Sequence, residues 1–436
     1  MKRAAAVLAL AMGAVGCGRA GRGAAIGGEP VSLEYANWAD YLEADLESRA
    51  LAPYAHAHPG VRVQQQSAGN GQAEYRERIL NSIVAGTPPD VFLLDNIDVP
   101  AFANRGVLLD LAPFLPRLGV DLARYDSTVL GIFRRGAAVY AIPKGYTPMV
   151  IVYNRDLFDR AGLSYPVADW TWDDFLHTAK ALTRDLDGDG HPDQWGTAFD
   201  RRPFLWLPWI WSGGGDVLCP DGRRATGCLD SPQTIAAIRW YTDWVTRDSI
   251  VPRVFNLRRS MGDNLRLFYT GKVAMLVTGH FWIPNFRPYV DQGRLHIGFV
   301  EIPHQLGFAP QTVVYASGLA VPAGAAHRRL SVELAAYLAD SVAQRIRAAA
   351  GLELPSLTAA GDALAAADTL GWESVFLRAE RHARVPWGAR IEQWREVEAA
   401  LPDLMDRITL AGVSPDVAAH EMAERLDRLL AEPTSR

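Results

Sequence analysis

The stretch 140–156, YAIPKGYTPMVIVYNRD, limits what this chain can fold into more than any other. An apolar piece over residues 139–142 stops at Pro143. Lys144, Gly145, Tyr146, Thr147 and Pro148 interrupt it, and residues 149–153 resume as an apolar, β-branched run. Two strand signals joined by a Pro/Gly/Pro segment describe either a hairpin or a strand that leaves one domain and enters another. At 436 residues the chain exceeds one ordinary core, so two or three domains are expected. The α/β series on either side of the stretch favour the crossing.

Residues 31–35 and 61–65 read as strands, each followed by helical spacing, and residues 90–94 (DVFLL) form a continuous apolar run. Strand, helix, strand, helix, strand is an α/β start, and a run without polar alternation suits a strand buried on both faces. In open α/β sheets ligands collect at the carboxyl ends of strands. That edge gathers Trp38, Asp40, Asn70, Asp95 and Asn96. Taken singly, each of the four Asp and Asn residues is as well explained as a cap or a turn.

A second α/β series follows the stretch. Thr171 with Asp174 resembles a capping box ahead of the stripe Phe175, Ala179 and Leu182. Asp185, Asp187, Asp189 and Asp193 alternate along a Gly-containing loop, the first half of a calcium site. Gly196 stands where the bidentate Glu belongs, and an acidic turn that satisfies its own backbone is the alternative. Phe204, Trp206, Trp209 and Trp211 then crowd against a Gly run, in a chain that holds 13 Trp. His280, after an apolar run at 273–277, reads as a hydrogen-bonded loop residue rather than a catalyst. Residues 313–321 repeat the pattern of the opening stretch, and a mostly helical portion closes the chain.

Lys2 and Arg3 precede a short apolar segment at 4–15, an export signal too short to span a bilayer. Small residues before Cys17 resemble a lipoprotein lipobox, although Ala14 replaces the usual Leu. The alternative is a plain secretory signal. Residues 18–30 would tether the fold to the lipid. Export leaves Cys219 and Cys228 in an oxidising compartment, with an Asp221-Gly222 turn between them, so a disulfide is expected and two free thiols are the alternative. Such a bond would stabilise by roughly 2–3 kcal/mol. The formal charge of −5 gives no reason to expect nucleic acid.

The order of features resembles the extracellular solute-binding proteins of ABC importers, in the group that binds carbohydrates. The carriers are Pro88-Pro89-Asp90-Val91, Tyr140-Ala141-Ile142-Pro143 before Val152-Tyr153-Asn154, and Trp172-Asp173-Asp174-Phe175. Asp187-Gly188-Asp189-Gly190 before Asp193-Gln194-Trp195-Gly196, Gly271-Lys272-Val273-Ala274-Met275 and Gly318-Leu319-Ala320-Val321-Pro322 complete them. The resemblance implies an α/β, two-lobed periplasmic-binding-protein-like fold with about three crossings between lobes and a ligand cleft that closes by a hinge. Lobe one is then 31–144 plus 313–350, and lobe two 145–312 plus 351–436, after a signal at 1–17. It also implies a monomer in the cell envelope that serves a permease, held to the membrane through Cys17.

Sugar capture asks for flat apolar rings against the C–H face and for polar groups around the hydroxyls. Trp38, Tyr146, Trp209, Trp211, Trp282 and Trp387 are candidate platforms. Asp40, Asn70, Asp95, Ser317 and Arg390 are candidate hydroxyl partners, and the family places contacts in the loops of Trp38, Asn70, Asp95, Tyr146, Trp282 and Trp387. Two other binding readings stand beside this one. A phosphorylated polyol or a peptide would use Arg390 and Lys144 as counter-charges, and a surface scaffold would never close. An enzyme reading would pair Asp40 with Asp95 as a glycosidase, but no Ser-His-Asp, zinc or phosphate-loop signature is present.

Overall fold

The computed structural model describes residues 30–69, 72–252 and 261–432. Cys17, the signal, nearly all of the tether and Asn70 lie outside them. In chain order the strands are β1 (Val31–Asn37), β2 (Val61–Ser67), β3 (Val91–Asp95), β4 (Arg134–Arg135), β5 (Ala138–Val139), β6 (Ala141–Pro148) and β7 (Val150–Asn154). They continue with β8 (Trp195–Thr197), β9 (Val273–Thr278), β10 (Ile297–Val300), β11 (Thr312–Ala320), β12 (Leu354–Pro355) and β13 (Ala383–Arg384).

Two lobes result because the strands sort into two main sheets. The first holds seven strands in the order β12-β6-β11-β3-β1-β2, with β13 beside β11, and the second holds four in the order β10-β7-β9-β8. β1 runs parallel to both β2 and β3, as the strand–helix alternation requires, whereas β11 lies antiparallel to β3 and β6. β3 is buried on both faces up to Asp95.

The stretch 140–156 is thus two strands of two different sheets, with Met149 alone between them. The segment that reads as a turn, residues 144–148, is instead extended. Pro143 cannot donate to a ladder, and the register with β11 slips between Ser317 and Gly318, so Lys144 is the extra residue of a bulge. The chain leaves the first sheet at Met149 rather than at Lys144. It also returns to that sheet after residue 350, because β12 pairs with β6. Met149 donates to the Val313 carbonyl and accepts from Thr312 Oγ1 at 2.6 Å, and Thr312–Val313 also pairs with β13. The passages between lobes therefore lie side by side in one hydrogen-bonded ribbon.

Helix Tyr41–Ala57 starts at Asp40, whose carboxylate accepts from the Leu42 and Glu43 amides. It packs against helix Ser341–Ala349 across a buried ion pair. Arg347 grips Glu47 in bidentate fashion at 2.8 and 2.7 Å, and Tyr35 Oη donates to the same carboxylate. Lys144 reaches Glu353 at 2.6 Å and Glu47 at 3.5 Å. The second lobe is built on an aromatic core in which Phe175, Trp209, Trp240, Tyr241 and Trp244 meet ring to ring. Cys219 and Cys228 are joined in a disulfide there.

Candidate functional site

The polar edge of the first lobe forms where β1 and β3 end. Trp38 is half-buried and meets Tyr75 edge-on at 5.6 Å. With Arg76, Asp95 and Asp98 it lines a shallow depression. Asp95 ends β3 and caps the short turn Asn96–Asp98 by accepting from the Ile97 amide. Asp98 sits between two arginines, with Arg76 Nε at 2.7 Å and Arg395 in bidentate contact at 3.1 and 2.9 Å. Arg395 comes from helix Trp394–Thr409, which packs with the second lobe, so this triad ties the two lobes together.

The second lobe contributes a wider depression, open to solvent, where β8 and β9 end. Asp200, Arg202, Asn264, Thr278 and Trp282 are in its wall. Arg202 is held by Asp200 in a bidentate pair, and Asn264 donates to the same carboxylate. Phe204, with the Arg202 guanidinium over its ring, meets Tyr315 of β11 edge-on at 6.1 Å. Tyr315 in turn is close enough to Asp95 and Glu398 to feel both of their charges.

Burial sets the protonation of this junction. It pushes Asp95 up to about 6 and Glu398 up to about 7, in both cases against the pull of Arg395. Tyr315 is driven well above its ordinary value by burial and by those two carboxylates. An arginine already committed to Asp98 cannot fully offset the desolvation of two further, partly buried carboxyls.

The structure separates the expected residues into three groups. Trp38, Asp95 and Trp282 lie at the depressions. Asn96 and Ser317 are buried beside them, Asn96 accepting from the Ala316 amide and Ser317 directed to Glu353 at 3.4 Å. The others are placed elsewhere. Trp209 is wholly buried in the aromatic core, and Trp211 and Trp387 are buried with both indoles donating to Asp216 at 2.9 and 2.7 Å. None of the three offers a free ring face, which corrects their reading as platforms. Arg390 lies over Trp387 and donates to the Pro220 carbonyl, Tyr146 is buried with its hydroxyl on Glu380, and Asp40 is an exposed helix cap. Lys144 is spent on Glu353 and Glu47 rather than free as a counter-charge.

In the acidic loop, oxygens of Asp185, Asp187 and Asp193 lie within 4.8 Å of one another. Asp185 accepts from the Gly188 and Gly190 amides, Asp187 from Asp189, Asp189 from His191 and Asp193 from Leu186, an arrangement that also satisfies the turn without an ion. Sequence reasoning missed Arg76, Asp98, Asp200, Arg202, Asn264, Tyr315, Arg395 and Glu398. The strand-end rule would have reached Asp200 had the three-residue β8 been recognised, whereas Arg395 and Glu398 look like an ordinary solvated helix face.

Two α/β lobes joined by adjacent passages, with polar depressions at their facing strand ends, define a ligand-binding protein of the two-lobed class. Residues 35–345 match the family of bacterial extracellular solute-binding proteins, and the chain belongs to that family. It is 25% identical over 228 residues to a putative binding protein of Brucella abortus (strain 2308), covering 52% of each chain. With the diacetylchitobiose binding protein DasA of Streptomyces coelicolor it shares 24% over 265 residues, 59% of this chain and 58% of that one. The chain thus spans about half the length of the curated relatives it matches. An ABC substrate-binding protein of Listeria monocytogenes solved with cycloalternan has the same fold, with a TM-score of 0.82, 20% identity and coverage of 93% of this chain and 100% of that one. Among the described residues no helix is long and apolar enough to cross a membrane.

Proposed function

We propose that the protein captures a neutral carbohydrate between its lobes and presents it to the permease of an ABC importer. The observation that carries this reading is the state of the polar groups around the two depressions. Among the described residues, Arg76 and Arg395 are paired with Asp98 and Arg202 with Asp200, so each of these three cations already has a carboxylate partner. A phosphate would have to break one of those pairs, whereas sugar hydroxyls can accept from the guanidiniums and donate to the carboxylates at once. Trp38 and Trp282, both half-buried and on opposite lobes, supply the apolar faces. The relatives named above bind diacetylchitobiose and cycloalternan, which agrees with a saccharide ligand.

Closure would bend the ribbon at Met149, Thr312–Val313 and β13 and bring the depressions together around the ligand. Export and a lipid anchor at Cys17 complete the proposal, with the protein acting as a monomer at the outer face of the cell envelope. Cys17→Ser should release it from the membrane fraction into the soluble one.

The test is a thermal-shift screen with maltotriose, diacetylchitobiose, cycloalternan, glucose 6-phosphate, glycerol 3-phosphate and a tripeptide. A bound ligand raises the melting temperature as RT ln(1+[L]/Kd). A shift confined to the phosphates or the peptide would overturn the carbohydrate reading.

A further inference from the structure

His280 is wholly buried directly after β9, at the head of the turn His280–Trp282 that leads into helix Ile283–Asp291. Three contacts hold it. Its backbone N–H donates to Thr147 Oγ1 at 2.7 Å, its Nε2 lies 2.5 Å from Glu373 Oε2, and its ring meets Phe376 edge-on at 4.8 Å. Glu373 and Phe376 belong to helix Trp372–Glu380, which packs against strands of both sheets. The backbone is closely packed at the entry to this turn. A Cβ on Gly279 would lie 2.3 Å from the Phe281 ring and 2.9 Å from Thr147 Oγ1.

Two residues on from His280, Trp282 lines the larger depression beside Asp200 and Arg202. An indole that is to stack on a ligand gains most when its position is fixed beforehand, because its ordering then costs nothing on binding. We propose that His280 is a positioning residue, whose bond to Glu373 fixes the turn that presents Trp282 to the cleft. The proposal rests on the carbohydrate reading only in taking Trp282 as a ligand contact. The side chain of His280 is shut away from solvent.

The experiment uses the full chain labelled with 5-fluorotryptophan and free of ligand, with the Trp282 resonance assigned by its loss in Trp282→Phe. His280→Ala and Glu373→Ala should each shift or broaden that resonance. Glu373→Gln, whose amide oxygen still accepts from Nε2, should leave it in place. The Kd for maltotriose should rise about tenfold in both alanine variants, and His280→Ala should add nothing in a Trp282→Ala background. Should His280→Ala not fold, Glu373→Ala carries the test. A Trp282 resonance unmoved in a folded alanine variant overturns the proposal, whatever happens to the melting temperature. If the resonance moves but no saccharide binds, the positioning role stands and the carbohydrate reading falls.

Discussion

Replacing Arg347 by Met is the sharpest probe of how the first lobe is held together. The guanidinium makes two bonds to Glu47 and a third, at 2.6 Å, to the Leu338 carbonyl, and neither side chain sees solvent to any extent. Burial would raise the Glu47 carboxyl, but Arg347 and then Lys144 overcome it and hold Glu47 at about 2, below its ordinary 4.5. A drop of that size corresponds to roughly 3 kcal/mol of stability. Removing one partner of a buried pair costs about 3–5 kcal/mol, so the two routes agree. Because the folded value is depressed, this stability is fully present above pH 4.5 and is lost as pH falls towards 2. In the variant, Glu47 is buried with only Lys144 and Tyr35 beside it and takes up its proton early. The deficit should therefore be largest at pH 7 and narrow by pH 3.5, measured by urea unfolding followed by circular dichroism. A loss under about 1 kcal/mol at pH 7, or an equal loss at both pH values, would refute the argument.

Trp209→Ala should destabilise the second lobe by about 3–5 kcal/mol, since the wholly buried ring sits among Phe175, Tyr241 and Trp244, while the folded fraction keeps wild-type affinity for maltotriose. Weakened binding in that fraction would return Trp209 to the site. Glu398→Gln should stabilise by about 2 kcal/mol at pH 8 and change little at pH 5, because burial raises Glu398 to about 7 and only its ionised form is disfavoured. Equal melting temperatures of variant and wild type at pH 8 would count against that assignment. Chelation with EDTA should leave the melting temperature unchanged, since the carboxylates at Asp185, Asp187 and Asp193 accept from their own loop amides. A fall of several degrees would show that the loop holds a cation.

The crossing at residues 140–156 was legible because apolar runs and prolines are local signals. Its details were not, because the bulge at Lys144 depends on β11, which lies more than 160 residues away in the chain. Asp95 and Trp38 emerged from the rule that ligands meet strand ends, which needs only the order of elements. Trp209, Trp211 and Trp387 were misplaced for a physical reason. Whether an indole is a core filler or a platform depends on what lies over its face, and for Trp211 that is Arg384, brought from distant sequence to 4.4 Å. Arg395 and Glu398 were invisible for the converse reason. Charged positions on a helix look solvated until Asp95 and Asp98 are set opposite them.

The ribbon at Met149 has a mechanical consequence. Parallel strips laced by hydrogen bonds flex easily out of their plane but resist shear and twist, which would break the lacing. If the lobes close by a hinge, a joint made of Met149, Thr312–Val313 and Ala383–Arg384 would behave as a leaf hinge with one axis, not as a ball joint. A single cut in one strip would leave two others holding the axis. Misalignment of the two half-sites on closure would thus be limited by backbone lacing rather than by the ligand.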